Sequence, residues 1–302
     1  MPSLRPITRD LPSSPTVAEL IRHGATAFDR AGLAYGHGTG NAVDEAAALV
    51  FHALDLDHQD AESAYGRHPD PADVTRVLDL LAERIERRVP AAYLMGRMWF
   101  AGLEFEVDER VIVPRSPFAE LTVARFEPWL EPGRVGRVLD IGTGSGCIAV
   151  ACAFAFPQAR VDAIDISADA LAVAARNVAK HGVGDRVRLL QGDCFDPVAG
   201  ERYDLIVANP PYVSDEEMAA LPLEYLHEPE LALRAGSDGL AVVRRIIAGA
   251  PAHLAQDGVL IVEVGDSEAR VNEAFPRLPF VWLEFEQGGG GVFLLRRRDF
   301  LN

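Results

Sequence analysis

The sequence predicts an α/β protein with a mostly parallel β-sheet, one antiparallel strand near the C-terminus, and a small helical domain before the sheet. Three observations support this prediction. From residue 135 to 275, apolar runs of strand length alternate with segments of helical periodicity, as in parallel sheets with helices on both faces. Four glycines separate the last two apolar runs, which predicts a hairpin and therefore one antiparallel strand. Residues 16–88 show only helical spacing of apolar side chains.

The composition excludes several classes of protein. The 302 residues carry a formal net charge of −16 and a pI near 4.9, which argues against binding DNA through its phosphates. An acidic surface suits a basic protein partner or serves solubility. Three cysteines without a CxxC pair predict neither a disulfide framework nor a zinc site. Because no apolar run reaches the length of a signal-peptide core or a membrane span, we expect a soluble, cytoplasmic protein.

The first 88 residues predict a helical domain. A first helix begins at the capping box formed by Thr16 and Glu19, and a second covers about 42–56. A third begins at Asp70-Pro71, where a capping residue precedes proline at the first helical position. We therefore place a helical domain at residues 1–88, a linker at 89–118 and the α/β domain at 119–302.

The linker combines short extended segments with two X-Pro steps. Aromatic and β-branched residues around Gly102 predict a hairpin within 99–107, and 111–113 predicts a third strand stopped by proline. The prolines on either side hold Arg115 on a stiff segment. Arg115 and Phe100 are therefore candidates to close over a substrate, and packing of the joint between domains is the alternative.

The α/β domain is read from its alternation of strands and helices. Strands are predicted at 135–141, 161–165, 187–190, 205–208, 259–264, 281–286 and 292–295. Helices are predicted at about 145–156, 168–181, 238–255 and 267–275.

Acidic residues and a glycine turn lie where three consecutive strands end. Glycines at 142, 144 and 146 would let the backbone pass close to a ligand at a helix N-terminus. Asp165 ends the next strand, where a carboxylate can accept hydrogen bonds from both ribose hydroxyls. Asp193 follows the third strand, in a position to meet an adenine amino group. The alternative for each acid is a loop cap; together they predict a nucleotide site.

The nucleotide could be NAD or S-adenosylmethionine. The dinucleotide fingerprint is GxGxxG, with a helix N-terminus facing a pyrophosphate. Here the spacing is GxGxG, and Asp140 directly before it places a negative charge where a pyrophosphate would be repelled. The same charge suits the amino group and sulfonium of S-adenosylmethionine, which we therefore expect to be the cofactor.

A second motif follows the fourth strand of the alternation. The apolar run 205–208 stops at Asn209-Pro210-Pro211-Tyr212, where tandem prolines give a rigid, extended exit. The Asn209 carboxamide and the carbonyls of Asn209 and Pro210 form a group of acceptors that suits a planar –NH2. An ordinary strand-terminating turn is the alternative for the Asn-Pro step alone.

These motifs carry a resemblance to known enzymes. In this order, the glycine turn after Asp140, the acid at Asp165 and the motif beginning at Asn209 resemble class I S-adenosylmethionine-dependent methyltransferases that methylate amines. Over its whole length the chain resembles the HemK/Prm family of protein glutamine methyltransferases. Within that family it resembles the branch that methylates a glutamine of the large-subunit ribosomal protein L-three. The finer resemblance is carried by Tyr93-Leu94, Trp99-Phe100, Phe105, Pro114-Arg115-Ser116-Pro117, Tyr225-Leu226-His227-Glu228-Pro229-Glu230 and Trp282-Leu283-Glu284-Phe285.

The resemblance implies a Rossmann-like class I methyltransferase fold and a helical domain that recognises the substrate. It implies that Asn209 and the Pro210 carbonyl accept the two N–H bonds of a glutamine amide, while Tyr212 packs against the amide plane. S-adenosylmethionine, and S-adenosylhomocysteine as product, would be held without a metal by Asp140, Gly142, Thr143, Gly144, Gly146, Asp165, Ile166, Asp193, Cys194 and Asn209. The substrate would be held by Asn209, Pro210, Pro211, Tyr212, Arg115 and Phe100.

Three other functions remain open at the level of sequence. A release-factor methyltransferase would act on a Gly-Gly-Gln loop, and it often has tryptophan where this chain has Cys194. A DNA adenine methyltransferase would use the same acceptors for an exocyclic amine, and a non-catalytic nucleotide sensor would not need them. Glu224, Glu228 and Glu230 follow the catalytic motif and could meet a basic ribosomal protein; a solvated acidic loop is the alternative.

Overall fold

The computed structural model describes residues 11–57, 60–286 and 288–301, and it divides into two compact units. The first unit contains the described residues up to Met98 together with the distant segment Pro222–His227. The second contains Trp99–Leu221 and the described residues from Glu228 onward. The boundary at Met98 lies inside the linker predicted at 89–118.

The first unit is helical, as predicted. Thr16 and Glu19 form the expected capping box, and the Asp70 side chain caps the helix that begins at Pro71. Leu20, Leu49 and Leu81 are completely buried between helices. Over the described residues, its helices are α1 (Val17–Ala31), α2 (Ala42–Ala53), α3 (Ala61–Ala64), α4 (Pro71–Arg87) and α5 (Ala91–Met95).

A buried ion cluster attaches the segment Pro222–His227 to the first unit. Arg84, with no exposed surface, donates from Nε to Glu45 Oε1 at 2.7 Å and from Nη1 to Glu224 Oε1 at 3.4 Å. Arg88 donates from Nη1 to the same Glu224 oxygen at 3.2 Å. Two carboxylates thus meet the Arg84 guanidinium out of contact with water, and the partly exposed Arg88 adds a second cation. In such a geometry each buried charge needs its partner.

The second unit is built on the predicted sheet. The strands over the described residues are β1 (Arg97–Phe100) and β2 (Leu103–Glu106) in a separate hairpin, then β3 (Arg137–Ile141), β4 (Arg160–Asp165), β5 (Val187–Gln191), β6 (Tyr203–Ala208), β7 (Leu254–Glu263), β8 (Val281–Trp282) and β9 (Val292–Arg296). The seven strands of the sheet follow the order β5-β4-β3-β6-β7-β9-β8. Neighbouring pairs from β5 to β7 are parallel, and β9 runs antiparallel to β7, which confirms the prediction of one antiparallel strand.

Helices cover both faces of this sheet. Successive residues of β3 point to opposite faces, so that Val138 joins one hydrophobic core and Leu139 joins the other. In the described part of the chain no helix has the length and hydrophobicity needed to cross a bilayer. The helices of this unit are α6 (Phe118–Val123), α7 (Cys147–Ala155), α8 (Ala168–Lys180), α9 (Asp215–Ala220), α10 (Ala241–His253) and α11 (Glu268–Ala274).

Two strand predictions were wrong in ways that have a physical reason. Residues 111–113 form no strand, because the Val113 N–H donates at 2.9 Å to the side chain of Glu228 rather than to a neighbouring strand. The strand expected at 281–286 ends at Trp282. The Leu283 N–H still donates to the Val292 carbonyl at 2.9 Å, but beyond it the chain leaves the sheet, and the Glu286 N–H donates to Glu120 Oε1 at 3.1 Å.

Candidate active site

The carboxyl ends of β3, β4, β5 and β6 open into a cavity of about 330 Å³. The strand order reverses between β3 and β6, and a crevice at such a reversal is where open α/β sheets bind their ligands. The cavity has the size of a small-molecule site. It brings together nine of the predicted residues, which are Gly142, Gly144, Asp165, Ile166, Asp193, Cys194, Asn209, Pro210 and Pro211.

The glycine turn lies against the start of the motif Asn209-Pro210-Pro211-Tyr212, which we call the catalytic motif. The N–H groups of Gly142 and Thr143 both donate at 2.9 Å to the carbonyl of Ile164, which holds the turn at the end of β4. Gly142 has a φ of 73°, and a Cβ there would lie 3.8 Å from the carbonyl oxygen of Asn209. Glycine therefore permits the left-handed backbone, while a Cβ would be in ordinary van der Waals contact with Asn209. The turn ends at Gly146, which caps α7.

Asp140 lies behind this turn and is completely buried. Its Oδ2 accepts the Thr143 hydroxyl at 2.6 Å, and its Oδ1 has no hydrogen-bond partner among the described residues. Burial, with a smaller contribution from the charge of Asp165, raises the pKa of Asp140 to about 7 against the lowering effects of the Thr143 hydroxyl and the Ala149 N–H. A carboxylate left in this condition is stabilised by a nearby cation, as expected for a ligand with an ammonium or sulfonium group.

Asp165 and Asp193 lie at the ends of β4 and β5. Asp165 accepts the Gly144 N–H at Oδ2 (2.8 Å) and the Ser167 N–H at Oδ1 (2.9 Å), and burial nevertheless raises its pKa. Asp193 forms an ion pair with Arg245, which also lines the cavity. An adenine amino group at Asp193 would therefore share that carboxylate with a guanidinium, which was not predicted from sequence.

Cys194 and Ile166 form an apolar part of the wall. Cys194 has a φ of 49°, and burial raises the pKa of its thiol to about 12, so that the side chain is uncharged. Ile166 remains 50% exposed. Together they can cover an aromatic ring without stacking on it.

The catalytic motif follows β6 directly. Asn209, Pro210 and Pro211 line the cavity, whereas the Tyr212 ring packs over Gly265, where a Cβ would lie 2.7 Å from the ring. The Tyr212 hydroxyl lies 3.4 Å from Oε1 of Glu263, at the end of β7. The structure therefore adds Glu263 and Gly265 to the site. A signal was present in the sequence, since an acid followed two residues later by glycine at a strand end repeats the pattern of Asp140 and Gly142.

Glu263 is buried and connects Tyr212 to Ser116 in the stiff segment Pro114–Pro117, which we call the hinge. Its Oε2 accepts the hydroxyl of Ser116. Burial raises the pKa of Glu263 to about 6, against the opposing effects of Ser116, Arg115 and Tyr212.

The two linker candidates lie outside the cavity lining. Arg115 donates from Nη2 to Glu228 Oε2 at 2.7 Å and from Nη1 to Oε1 of the same carboxylate. Phe100 is 4% exposed and packs edge-on against Phe105. Both contacts lie within the second unit, so the role of these residues at the joint and their role toward a substrate both stay predictions.

The expectation that the acids after the catalytic motif meet a basic partner was wrong for two of the three. Glu224 and Glu228 are 1% and 5% exposed, and both have arginine partners. Glu230 is exposed but pairs with Arg234. Because the partner arginines are far away in sequence or lie on other elements, local composition did not distinguish buried acids from solvated ones.

The remaining lining was not predicted. Arg110 and Arg234 place guanidinium groups at the cavity, and both pair with acids of the same unit. They can reach a ligand carboxylate, but they come from loops without periodicity. Among the described residues no group of three or more His, Cys, Asp or Glu has the arrangement of a metal site. The apolar lining missed by sequence includes Val111, Ile112, Leu231, Ala232, Ala235 and Val242.

Comparisons with known proteins point in one direction. Residues 124–234 match the family described as Methyltransferase small domain. A protein of Xanthomonas campestris pv. campestris named ribosomal protein uL3 glutamine methyltransferase is 51% identical over 287 residues, covering 95% of this chain and 92% of its own. A Bordetella pertussis protein of the same name is 48% identical over 285 residues, covering 94% and 96%.

Solved structures agree with the fold. The hMettl16 catalytic domain, solved in complex with an RNA hairpin, matches with a TM-score of 0.53 at 18% identity and covers 82% of this chain and 90% of its own. At this identity the likeness concerns the fold alone. The second unit thus has the class I methyltransferase fold that the sequence predicted.

Proposed function

Because the chain belongs to the family of ribosomal protein uL3 glutamine methyltransferases, we propose that it methylates the side-chain amide nitrogen of a glutamine in uL3, the large-subunit protein L-three. S-adenosylmethionine is the methyl donor in this proposal. The observation that carries it is the meeting of the glycine turn with Asn209, Pro210 and Pro211 in one cavity. We place the activity in the cytoplasm and assign the helical unit to recognition of the substrate protein.

The residues of the cavity suit this cofactor. When bound, S-adenosylmethionine supplies a methyl group made electrophilic by its sulfonium. Asp165 would accept the ribose hydroxyls, and Asp193 with Cys194 and Ile166 would meet the adenine. The unpartnered Oδ1 of Asp140 fits a ligand that carries positive charge.

An amide nitrogen is a weak nucleophile because its lone pair is delocalised into the carbonyl group, and the catalytic motif compensates for this weakness. The Asn209 side chain and the Pro210 carbonyl accept the two amide hydrogens and turn the nitrogen toward the methyl group. The same acceptors stabilise the positive charge that develops on nitrogen. Bound S-adenosylmethionine would supply the methyl group and leave as S-adenosylhomocysteine, and we assign the proton released from the amide nitrogen to solvent.

Tyr212 closes the motif on the side of β7. Gly265 leaves space for its ring, and Glu263 lies within reach of its hydroxyl. In this proposal the tyrosine ring packs against the glutamine amide plane, and Glu263 holds the ring in position without touching the substrate.

Replacing Asn209 tests the proposal directly. For Asn209→Ala we expect the rate of radiolabelled methyl transfer to uL3 to fall roughly tenfold or more, the loss expected when a positioning contact is removed. The dissociation constant for S-adenosylmethionine, measured by calorimetry, should change little. A rate near wild type would remove Asn209 from the mechanism. Methyl transfer by the wild-type enzyme to a release factor, and not to uL3, would establish the release-factor alternative instead.

A further inference from the structure

A second concave surface lies on the second unit, at the edge of the sheet. It is a groove of about 400 Å³ between α6, the loop that follows α6, and the segment that begins with β8. β8 is the outermost strand of the sheet. The groove includes the motif Trp282-Leu283-Glu284-Phe285, which the proposed active site does not use. The side chains that define its chemistry are Glu120, Glu127, Trp129, Trp282, Glu284 and Phe285.

The groove combines negative charge with aromatic surface. Three of its lining residues are glutamates, and none of the described lining residues is lysine, arginine or histidine. Glu127 and Glu284 are exposed, and Trp129 and Phe285 are partly exposed. Carboxylates beside aromatic faces bind ammonium and guanidinium groups by ion pairing and by cation–π attraction.

The fold fixes the shape of this groove. The Trp282 ring packs edge-on against the buried Phe293 with centroids 5.6 Å apart, and its indole N–H lies 3.4 Å from Asn272 Oδ1. On the opposite side, Glu120 Oε1 accepts the Glu286 N–H at 3.1 Å. The walls are therefore held by core packing and by a hydrogen bond between them, so the groove is present before any partner binds.

The groove also adjoins the support of the catalytic motif. Glu120 lies in α6, which begins two residues after Ser116. The Ser116 hydroxyl donates to Glu263, the residue beside Tyr212. A chain segment seated in the groove would therefore contact the element that leads to the hinge behind the catalytic tyrosine.

We propose that this groove binds a basic, extended segment of the protein substrate while the target glutamine occupies the active site. The inference rests on the proposed function, since it assigns the groove to the same substrate. The outer edge of β8 offers backbone groups to such a segment, in the manner of strand addition. The glutamates and aromatic rings bind its lysine or arginine side chains. Nucleic acid is disfavoured because phosphates would face three carboxylates.

Charge reversal in the groove provides the test. With uL3 as substrate and the full-length enzyme, we expect Glu127→Lys and Glu284→Lys each to raise KM about threefold to tenfold, as attraction becomes repulsion at an exposed site. The value of kcat should stay within about twofold, because the reacting groups are untouched. Glu284→Gln should give a smaller rise. Salt near 0.5 M should reduce these differences, because screening acts most strongly on exposed charges.

Asp185→Lys is the matched control. Asp185 is exposed on the loop before β5, at the opposite edge of the same sheet, and its reversal changes net charge equally. Its KM should remain at the wild-type value, and unchanged thermal midpoints would show that all variants fold.

The outcomes separate the two proposals. Wild-type enzyme that fails to methylate uL3 would overturn the proposed function and this inference with it. Wild-type transfer, together with an unchanged KM in both groove variants or an equal rise in Asp185→Lys, would overturn the groove alone. A groove variant that changes the oligomeric state in light scattering without changing KM would assign the surface to self-association and would also overturn it.

Discussion

The buried carboxylates of the helical unit differ from those beside the proposed active site. In the helical unit, Glu45 and Glu224 face Arg84, and Arg88 adds a second cation. Beside the active site of the α/β unit, Asp140 and Glu263 are also buried, but among the described residues neither has a lysine or arginine within 4 Å. Hydroxyl groups of Thr143, Ser116 and Tyr212 contact them instead. Buried acids elsewhere in that unit, Asp162 and Glu228, are paired with arginines.

The pKa of Glu224 is shifted in the opposite direction to those of Asp140 and Glu263. Burial would raise the pKa of Glu224, but the Ala34 N–H, Arg88 and Arg84 outweigh burial and lower it. Burial prevails beside the active site, where the pKa of Asp140 rises to about 7 and that of Glu263 to about 6. Paired charge therefore holds a chain segment in place, whereas a carboxylate without a cation of its own can respond to a bound one.

The strongest test of this contrast removes Arg84. For Arg84→Met we expect the free energy of unfolding to fall by about 3–5 kcal/mol, because two carboxylates would stay buried without their shared cation. Urea titration followed by circular dichroism measures it. Arg87→Met is the control, since Arg87 and its partner Glu83 are 59% and 39% exposed and such a pair contributes about 1 kcal/mol or less. Equal losses in the two variants would remove the distinction.

The next effect concerns Asp140. Its folded pKa of about 7 exceeds the ordinary 3.8, so the stability from its protonated form is complete below 3.8 and is lost as pH rises through 7. A bound cation favours the charged form, so the affinity for S-adenosylmethionine should rise between about pH 6 and pH 8.

Asp140→Asn should abolish the pH dependence of both ligand affinity and stability. We expect S-adenosylmethionine to bind about tenfold more weakly, with an affinity that no longer depends on pH in this range. Without ligand, the variant should be more stable than wild type at pH 8 by about 1–3 kcal/mol, because no charge is buried without a partner. Calorimetry and urea unfolding at two pH values measure these effects. A pH dependence that persists in the variant would assign the titration to another group.

Glu263 should give the smallest effect. Its pKa of about 6 exceeds the ordinary 4.5, so its contribution to stability is present below 4.5 and is lost as pH rises through 6. Glu263→Gln keeps the shape and should abolish this step in the thermal midpoint. Methyl transfer should fall about twofold to fivefold through looser placement of Tyr212. A step near pH 6 that survives the substitution would contradict the assignment.

The features that could be predicted from sequence are those whose interacting residues follow a regular pattern along the chain. The glycine turn, Asp165 and Asn209 were predictable, because in a parallel sheet every strand delivers its carboxyl end to the same edge. The apolar stretch before Pro114 has the composition of a strand. The sequence could not show that the Val113 N–H is used elsewhere, because its partner, Glu228, lies 115 residues later. The burial of Glu224 depends in the same way on arginines of α4 and its C-cap. Pairings of this range leave no periodic signal.

The placement of Pro222–His227 in the helical unit means that neither unit is one uninterrupted stretch of chain. A truncation that starts at Trp99 would retain Glu224 but discard both of its arginines. A fragment that stops at Met98 would keep Arg84 and lose one of its two acids. Truncation of this enzyme at the boundary near Met98 should therefore give two fragments that each lack part of the buried ion cluster.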